Sequence, residues 1–280
     1  MSQAISGETR ERMRRPGGFT SWIVNTIAVL FSLFYVYTAG IGLVSTELHR
    51  GVYLLLTMLL CFMLYPLRKK ATGNRIPPVD WILCALATIA VLYWITEFPT
   101  YAIQRVGNPN RVDILMGAII TVLSLEVARR TINSILPLLA ILFLLYAYMG
   151  PYVPGMLGHP GFSLFSIVES IACDVGGIYG IVVNTYATFV FPFIIFASFL
   201  KAAGAGDAIE NLALAIAGGT RGGPAKVAVV SSGIIGSITG SSAANAVATG
   251  AYTIPLMKKA GYKPHVAAGV EAAASSGGQM

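Results

Sequence analysis

The sequence predicts an all-α polytopic membrane protein, a helical bundle that contains a re-entrant helix hairpin and a broken helix. Three observations predict it. The 280 residues are 55% hydrophobic and only 11% charged, with mean hydropathy +0.71, whereas a soluble domain is about a quarter charged. The basic residues fall between long apolar runs, as membrane orientation requires, so the net charge of +7 does not point to nucleic acid. Lastly, no charge occurs from Val227 to Met257, yet Lys226 precedes this run and Lys258, Lys259 and Lys263 follow it.

Residues 1–18 form a basic segment with Arg10, Arg12, Arg14 and Arg15, read as a cytoplasmic N-terminus. The apolar run Phe19–Val44 is too long for a signal-peptide core of about 7–15 residues, so it reads as a retained first span. Ser45–Arg50, with Glu47 and His49, reads as a turn, and Gly51–Leu67 as the second span. Arg68, Lys69, Lys70 and Arg75 mark a cytoplasmic loop, and Pro77-Pro78 starts the next helix. The third span is Val79–Phe98, followed by a turn-like loop with Gly107, Asn108, Pro109 and Asn110. The fourth, Ile114–Ala128, ends at Arg129-Arg130, and the fifth is Thr131–Met149.

The Pro/Gly-rich loop Gly150–Gly161 carries no Lys or Arg, reads as external, and is the best internal boundary. Ser163–Val175 has the spacing of a short interfacial helix. Ile178–Leu200 is the sixth span, and its Asn184, Thr185 and Thr188 either line a polar path or bond to a neighbouring helix. Gly204-Ala-Gly206-Asp207 caps an amphipathic stretch, Asp207–Ala217. The Gly-rich linker 218–224 lacks the spacing of a phosphate-binding loop.

The uncharged run is the informative part. Lysine marks the cytoplasmic side, so a single span with lysine at both ends would put one cluster on the wrong side. Two half-helices that enter and leave by one face resolve this, with the run Gly236-Ser-Ile-Thr-Gly-Ser-Ser-Ala-Ala-Asn245 at the tip. Broken backbone at membrane depth is tolerated only inside protein or beside a water-filled cavity. Transporters build substrate and ion sites there, although the same small residues also serve tight helix packing. After the turn Gly261-Tyr-Lys-Pro264, a further membrane segment carries Glu271 and the small polar cluster Ser275-Ser-Gly-Gly-Gln279. Glu271 reads either as a functional carboxylate within the bundle or as one that reaches the interface or a lysine. A helix that stops at such a break predicts a truncated chain with an incomplete bundle.

No nucleophile triad, acid pair or metal-ligand spacing occurs within the spans, so an enzyme is not expected. Cys61, Cys84 and Cys173 are scattered, as are His49, His159 and His265.

At Thr220-Arg-Gly-Gly-Pro-Ala-Lys226, the tip run, Ile254-Pro-Leu-Met-Lys-Lys-Ala-Gly-Tyr262 and Val270-Glu-Ala-Ala-Ala-Ser-Ser-Gly-Gly-Gln279, the chain resembles a permease of the tripartite ATP-independent periplasmic (TRAP) transporters. It looks most like the fused, TAXI-type form, with a small four-span part ahead of a twelve-span large part. On that resemblance, 19–150 are small-subunit-like scaffold spans and 151–280 the first part of the large transport domain. The resemblance implies sodium-driven uptake of small organic carboxylates delivered by a periplasmic binding protein, in the bacterial inner membrane. It implies sodium and substrate contacts from Ser237, Thr239, Gly240, Ser241, Ser242 and Asn245, and from Ser275, Ser276, Gly277 and Gly278. Sodium would be a coupling ion, with no resident cofactor or metal. With one hairpin of two, the chain is expected not to transport alone. The rival reading is a non-transporting membrane scaffold or assembly subunit.

Overall fold

The computed structural model describes residues 14, 16–42, 44–67, 76–239 and 242–278. The described residues divide into two compact units, 14–189 and 190–278. Among the described residues every regular element is helical.

The first unit is built on α1 (Phe19–Ile41), α2 (Thr46–Leu64), α3 (Pro78–Gln104), α4 (Arg111–Thr131) and α5 (Ile135–Met149). Helices α1, α2, α3 and the stretch Ile135–Tyr152 are long and apolar enough to cross a membrane. Their outward faces leave Leu33, Ile82, Leu138, Leu142 and Phe143 exposed, apolar surface that a bilayer covers. Inside, Met58, Phe62, Ala87, Val91, Trp94 and Ile120 form one core. Trp94 stacks on Tyr179 with ring centroids 3.6 Å apart.

Several boundaries differ from the sequence reading. The expected turn at 45–50 is the first turn of α2: Ser45 precedes it and Glu47 suits the positive end of the helix dipole. Helix α3 runs past Phe98, through Pro99, to Gln104. Its last turn is held by Tyr101, whose hydroxyl donates to Glu169 at 2.7 Å. Helix α4 starts at a capping box in which the Asn110 side chain accepts from the backbone N–H of Asp113, and Asp113 accepts from that of Asn110. With Arg111 and Asp113 at one end and Glu126, Arg129 and Arg130 at the other, α4 is not among the four long apolar helices.

One end of this unit is pinned by charge. Asp80, fully buried, accepts from Arg14 Nη1 at 2.6 Å and from Arg130 Nη1 at 2.8 Å. Arg130 also donates to Glu126 and to the carbonyl of Tyr65, and its guanidinium lies over the Phe62 ring. In the sequence, Arg14 and Arg130 read only as markers of membrane side. Toward the other end, Thr188 meets His49 Nε2 at 3.1 Å, which makes it an interhelical bond.

After the 3₁₀ turns at Gly150–Tyr152 and Gly155–Leu157 come α6 (Leu164–Val168), a π turn over Glu169–Cys173, α7 (Ile181–Thr185) and a second π turn over Tyr186–Val190. The second unit comprises α8 (Phe191–Ala202), α9 (Ala205–Ala217), α10 (Gly223–Thr239), α11 (Ser242–Lys259) and α12 (Pro264–Gly277). Helix α9 begins at Ala205, two residues before the expected Asp207, directly behind Gly204 of the expected cap, whose φ of 76° is left-handed backbone that glycine adopts freely. Helices α10, α11 and α12 pack on one another, around Ala228, Met257 and Ala267 at the lysine-bearing end.

Candidate functional site

The hairpin expected from the lysine-flanked run is present as α10 and α11. Asn245 lies beside Gly236, and Thr249 beside Ser232, so residue numbers rise along one helix as they fall along the other: the two run antiparallel and bring Lys226 and Lys258 to the same end. At 17 and 18 residues, each helix is about 26 Å long at 1.5 Å per residue. The intervening Gly240 and Ser241 lie outside the described residues. Helix α12 then runs back along both.

Close packing of α12 on α10 depends on two glycines. A Cβ on Gly236 would collide with the carbonyl oxygen of Gly278, and a Cβ on Gly278 with that of Ser232. Only a missing side chain at both places lets the backbones approach this closely.

The faces so joined are polar and sealed. Ser231, Ser232, Asn245, Thr249 and Thr253 are 0% exposed, Ser275 1% and Glu271 2%. Positions 245, 249 and 253 recur every four residues and therefore form one stripe of α11. Asn245 Nδ2 donates to the carbonyls of Ser232 at 2.9 Å and Ser275 at 3.4 Å. Carbonyls only accept, so these two bonds orient the amide. Among the described residues, Asn245 Oδ1 then lies buried without a hydrogen-bond partner, as does Ser231 Oγ. Such an orphan acceptor is rare in a native interior and costs about 1–3 kcal/mol if left unmet.

Four hydroxyls surround the Glu271 carboxyl. Thr249 bonds to Oε1 and Thr253 to Oε2, while Ser275 reaches Oε1 at 3.0 Å and Ser232 at 3.4 Å. Among the described residues no basic side chain pairs with it.

The residues expected at the site separate into groups. Asn245 and Ser275 meet in the sealed seam, and Gly278 lies beside them. Ser237 and Ser276 are exposed, with hydroxyls bonded back to their own helices at Ile234 and Ala272. A side chain at Gly277 would meet open space. Ser242 is half-buried at the start of α11, and Thr239 is the last residue of α10. The expected break at Ser275–Gly278 is not a break within these residues: the helix continues to Gly277, and Gly278 N–H still bonds to Ala274. Sequence reasoning does not single out Ser232, Thr249 or Thr253, although the four-residue repeat from Asn245 is a signal that could have found the two threonines.

Residues 119–280, more than half of the chain, match the tripartite ATP-independent periplasmic transporter, DctM component. The chain belongs to this family. It is 34% identical over 116 residues to the C4-dicarboxylate TRAP transporter large permease protein DctM of Vibrio cholerae, a stretch covering 41% of this chain and 24% of that relative. The chain thus spans only about a quarter of that protein. No solved structure matches it. The family match includes the whole of α10, α11 and α12, so the sealed seam is part of a TRAP permease. Membership in a transporter family also implies a role other than catalysis.

Proposed function

We propose that this chain is the membrane permease component of a sodium-coupled secondary transporter that takes up small organic carboxylates delivered by a periplasmic binding protein. The observation that carries it is Asn245 Oδ1, a fully buried oxygen with no partner among the described residues, at the tip end of the helix hairpin. Sodium is a hard cation and prefers oxygen ligands. The carboxamide oxygen, the Ser275 and Gly278 carbonyls and the tip residues Thr239 to Ser242 supply such oxygens. The substrate carboxylate would bind beside the ion, at the hydroxyls and amides of the same tip.

In this reading residues 19–150 are the small-subunit-like scaffold and 151–280 the opening part of the transport domain. The protein sits in the bacterial inner membrane with many passes. The end that gathers Arg14, Asp80 and Arg130 faces the cytoplasm, as the positive-inside rule assigns, and the N-terminus lies there. The name of the Vibrio relative supports a C4-dicarboxylate as the first substrate to try.

The test is uptake into proteoliposomes that hold the transporter, together with its binding protein. Radiolabelled dicarboxylate should accumulate under an inward sodium gradient and stop when potassium replaces sodium. Uptake of equal rate in both salts would overturn sodium coupling. Uptake without the binding protein would overturn the delivery step.

A further inference from the structure

We propose that Glu271 is a proton-binding site, whose carboxyl takes up and releases one proton while the surrounding hydroxyls turn to satisfy either charge state. This inference rests on the sealed seam alone and does not depend on which ion drives uptake.

Glu271 is 2% exposed, and a buried carboxylate needs a positive partner or a proton. The titratable and charged groups on the packed elements are Lys226 on α10, Tyr252, Lys258 and Lys259 on α11, and His265 on its own helix, with Tyr262 and Lys263 in the turn between. Among the described residues none of these forms an ion pair with it. The lysines cluster at the far end of the hairpin, whereas Glu271 faces Thr249 and Thr253, about one and a half to two and a half helical turns inward.

A metal cation fits poorly at the carboxyl. A hard cation such as calcium sits about 2.3–2.6 Å from each ligand oxygen and holds its ligands further apart than a hydrogen bond does. Here the Glu271 oxygens already touch the Thr249 and Thr253 hydroxyls directly. Gly250 closes one side, where even a Cβ would come within 3.2 Å of the Glu271 Cγ. A proton needs no such space.

The hydroxyls supply the switch. Each has one proton to donate and lone pairs to accept. Thr253 Oγ1 lies beside both Glu271 Oε2 and, at 2.9 Å, the carbonyl of Thr249. Thr249 Oγ1 lies beside both Oε1 and, at 2.8 Å, the carbonyl of Asn245. When the carboxyl is ionised, both threonines and Ser275 donate to it. When it is protonated, its O–H donates to Thr253, and the Thr253 proton turns to the Thr249 carbonyl. The carboxyl and both threonine hydroxyls keep partners in either arrangement, and one proton is the whole difference between them.

The experiment is infrared spectroscopy of this chain in lipid nanodiscs across a pH series, read at the C=O stretch of a protonated carboxylic acid. The band is read as the difference between the wild-type chain and Glu271→Gln at each pH, which cancels the other carboxyls, and this difference band should be present at low pH and lost reversibly as pH rises. Thr253→Val, which removes a partner of Oε2, should keep the band but shift its frequency and its midpoint. The Thr253 variant also decides the matter if the glutamine variant does not fold. A difference spectrum with no titrating acid band, or a difference band unmoved by Thr253→Val, would overturn the proposal.

Discussion

Asp80 and Glu271 are both buried carboxylates, and the protein treats them in opposite ways. Asp80 has two guanidiniums within 2.8 Å and no hydroxyl ligand among the described residues. Glu271 has four hydroxyls and, among the described residues, no cation. A guanidinium presents a fixed fork of donors and no acceptor, so the hydrogen bonds of the Asp80 cluster have one arrangement. Hydroxyls can turn, so the Glu271 cluster has two. The first arrangement locks the N-terminal segment, α3 and α4 together, whereas the second leaves a charge to be gained or lost inside a transporter's helix hairpin.

Substitutions can break or sharpen this contrast, and unfolding by denaturing detergent in mixed micelles reads each one. The largest loss is expected at Asp80. Asp80→Ala leaves Arg14 and Arg130 buried without a counter-charge and should cost about 3–5 kcal/mol. Next comes Gly236→Ala, which drives a methyl into the Gly278 carbonyl and should cost about 1–3 kcal/mol as an overpacked contact. Glu271→Gln keeps the shape and the hydrogen-bonding capacity of a protonated carboxyl, so its cost should stay below about 1 kcal/mol. A loss there as large as at Asp80 would erase the distinction. Ser276→Ala, at an exposed hydroxyl bonded to its own helix, should change stability by no more than about 0.5 kcal/mol.

Much of the seam is legible in the amino-acid sequence. The charge-free run between Lys226 and Lys258 announces a hairpin, and the small residues within it announce close approach. Asn245 and Ser275 stand out as members of the region, and Glu271 as a carboxylate that needs a reason. Partnership stays hidden. Thr249 and Thr253 become ligands of Glu271 only through the register of α11 against α12, and the Gly236–Gly278 contact helps to set how α12 lies on the hairpin. Ser275–Gly277 reads as a break because serine and glycine weaken helices, yet packing on α10 and α11 carries the helix through them. The Asp80 cluster is hidden for a related reason. Arginines near span ends mark membrane side, and nothing in their spacing says that two of them turn inward to the same aspartate.

The central claim is that the sealed face of the hairpin is an ion-binding site with Asn245 Oδ1 among its ligands. The direct measurement is thermal unfolding of this chain in nanodiscs, in sodium against choline at equal ionic strength. A ligand that binds only the folded state raises stability with its concentration. The midpoint should rise with sodium in the wild-type chain and stay flat in Asn245→Ala. A midpoint indifferent to sodium, or a rise of equal size in the variant, would contradict the account.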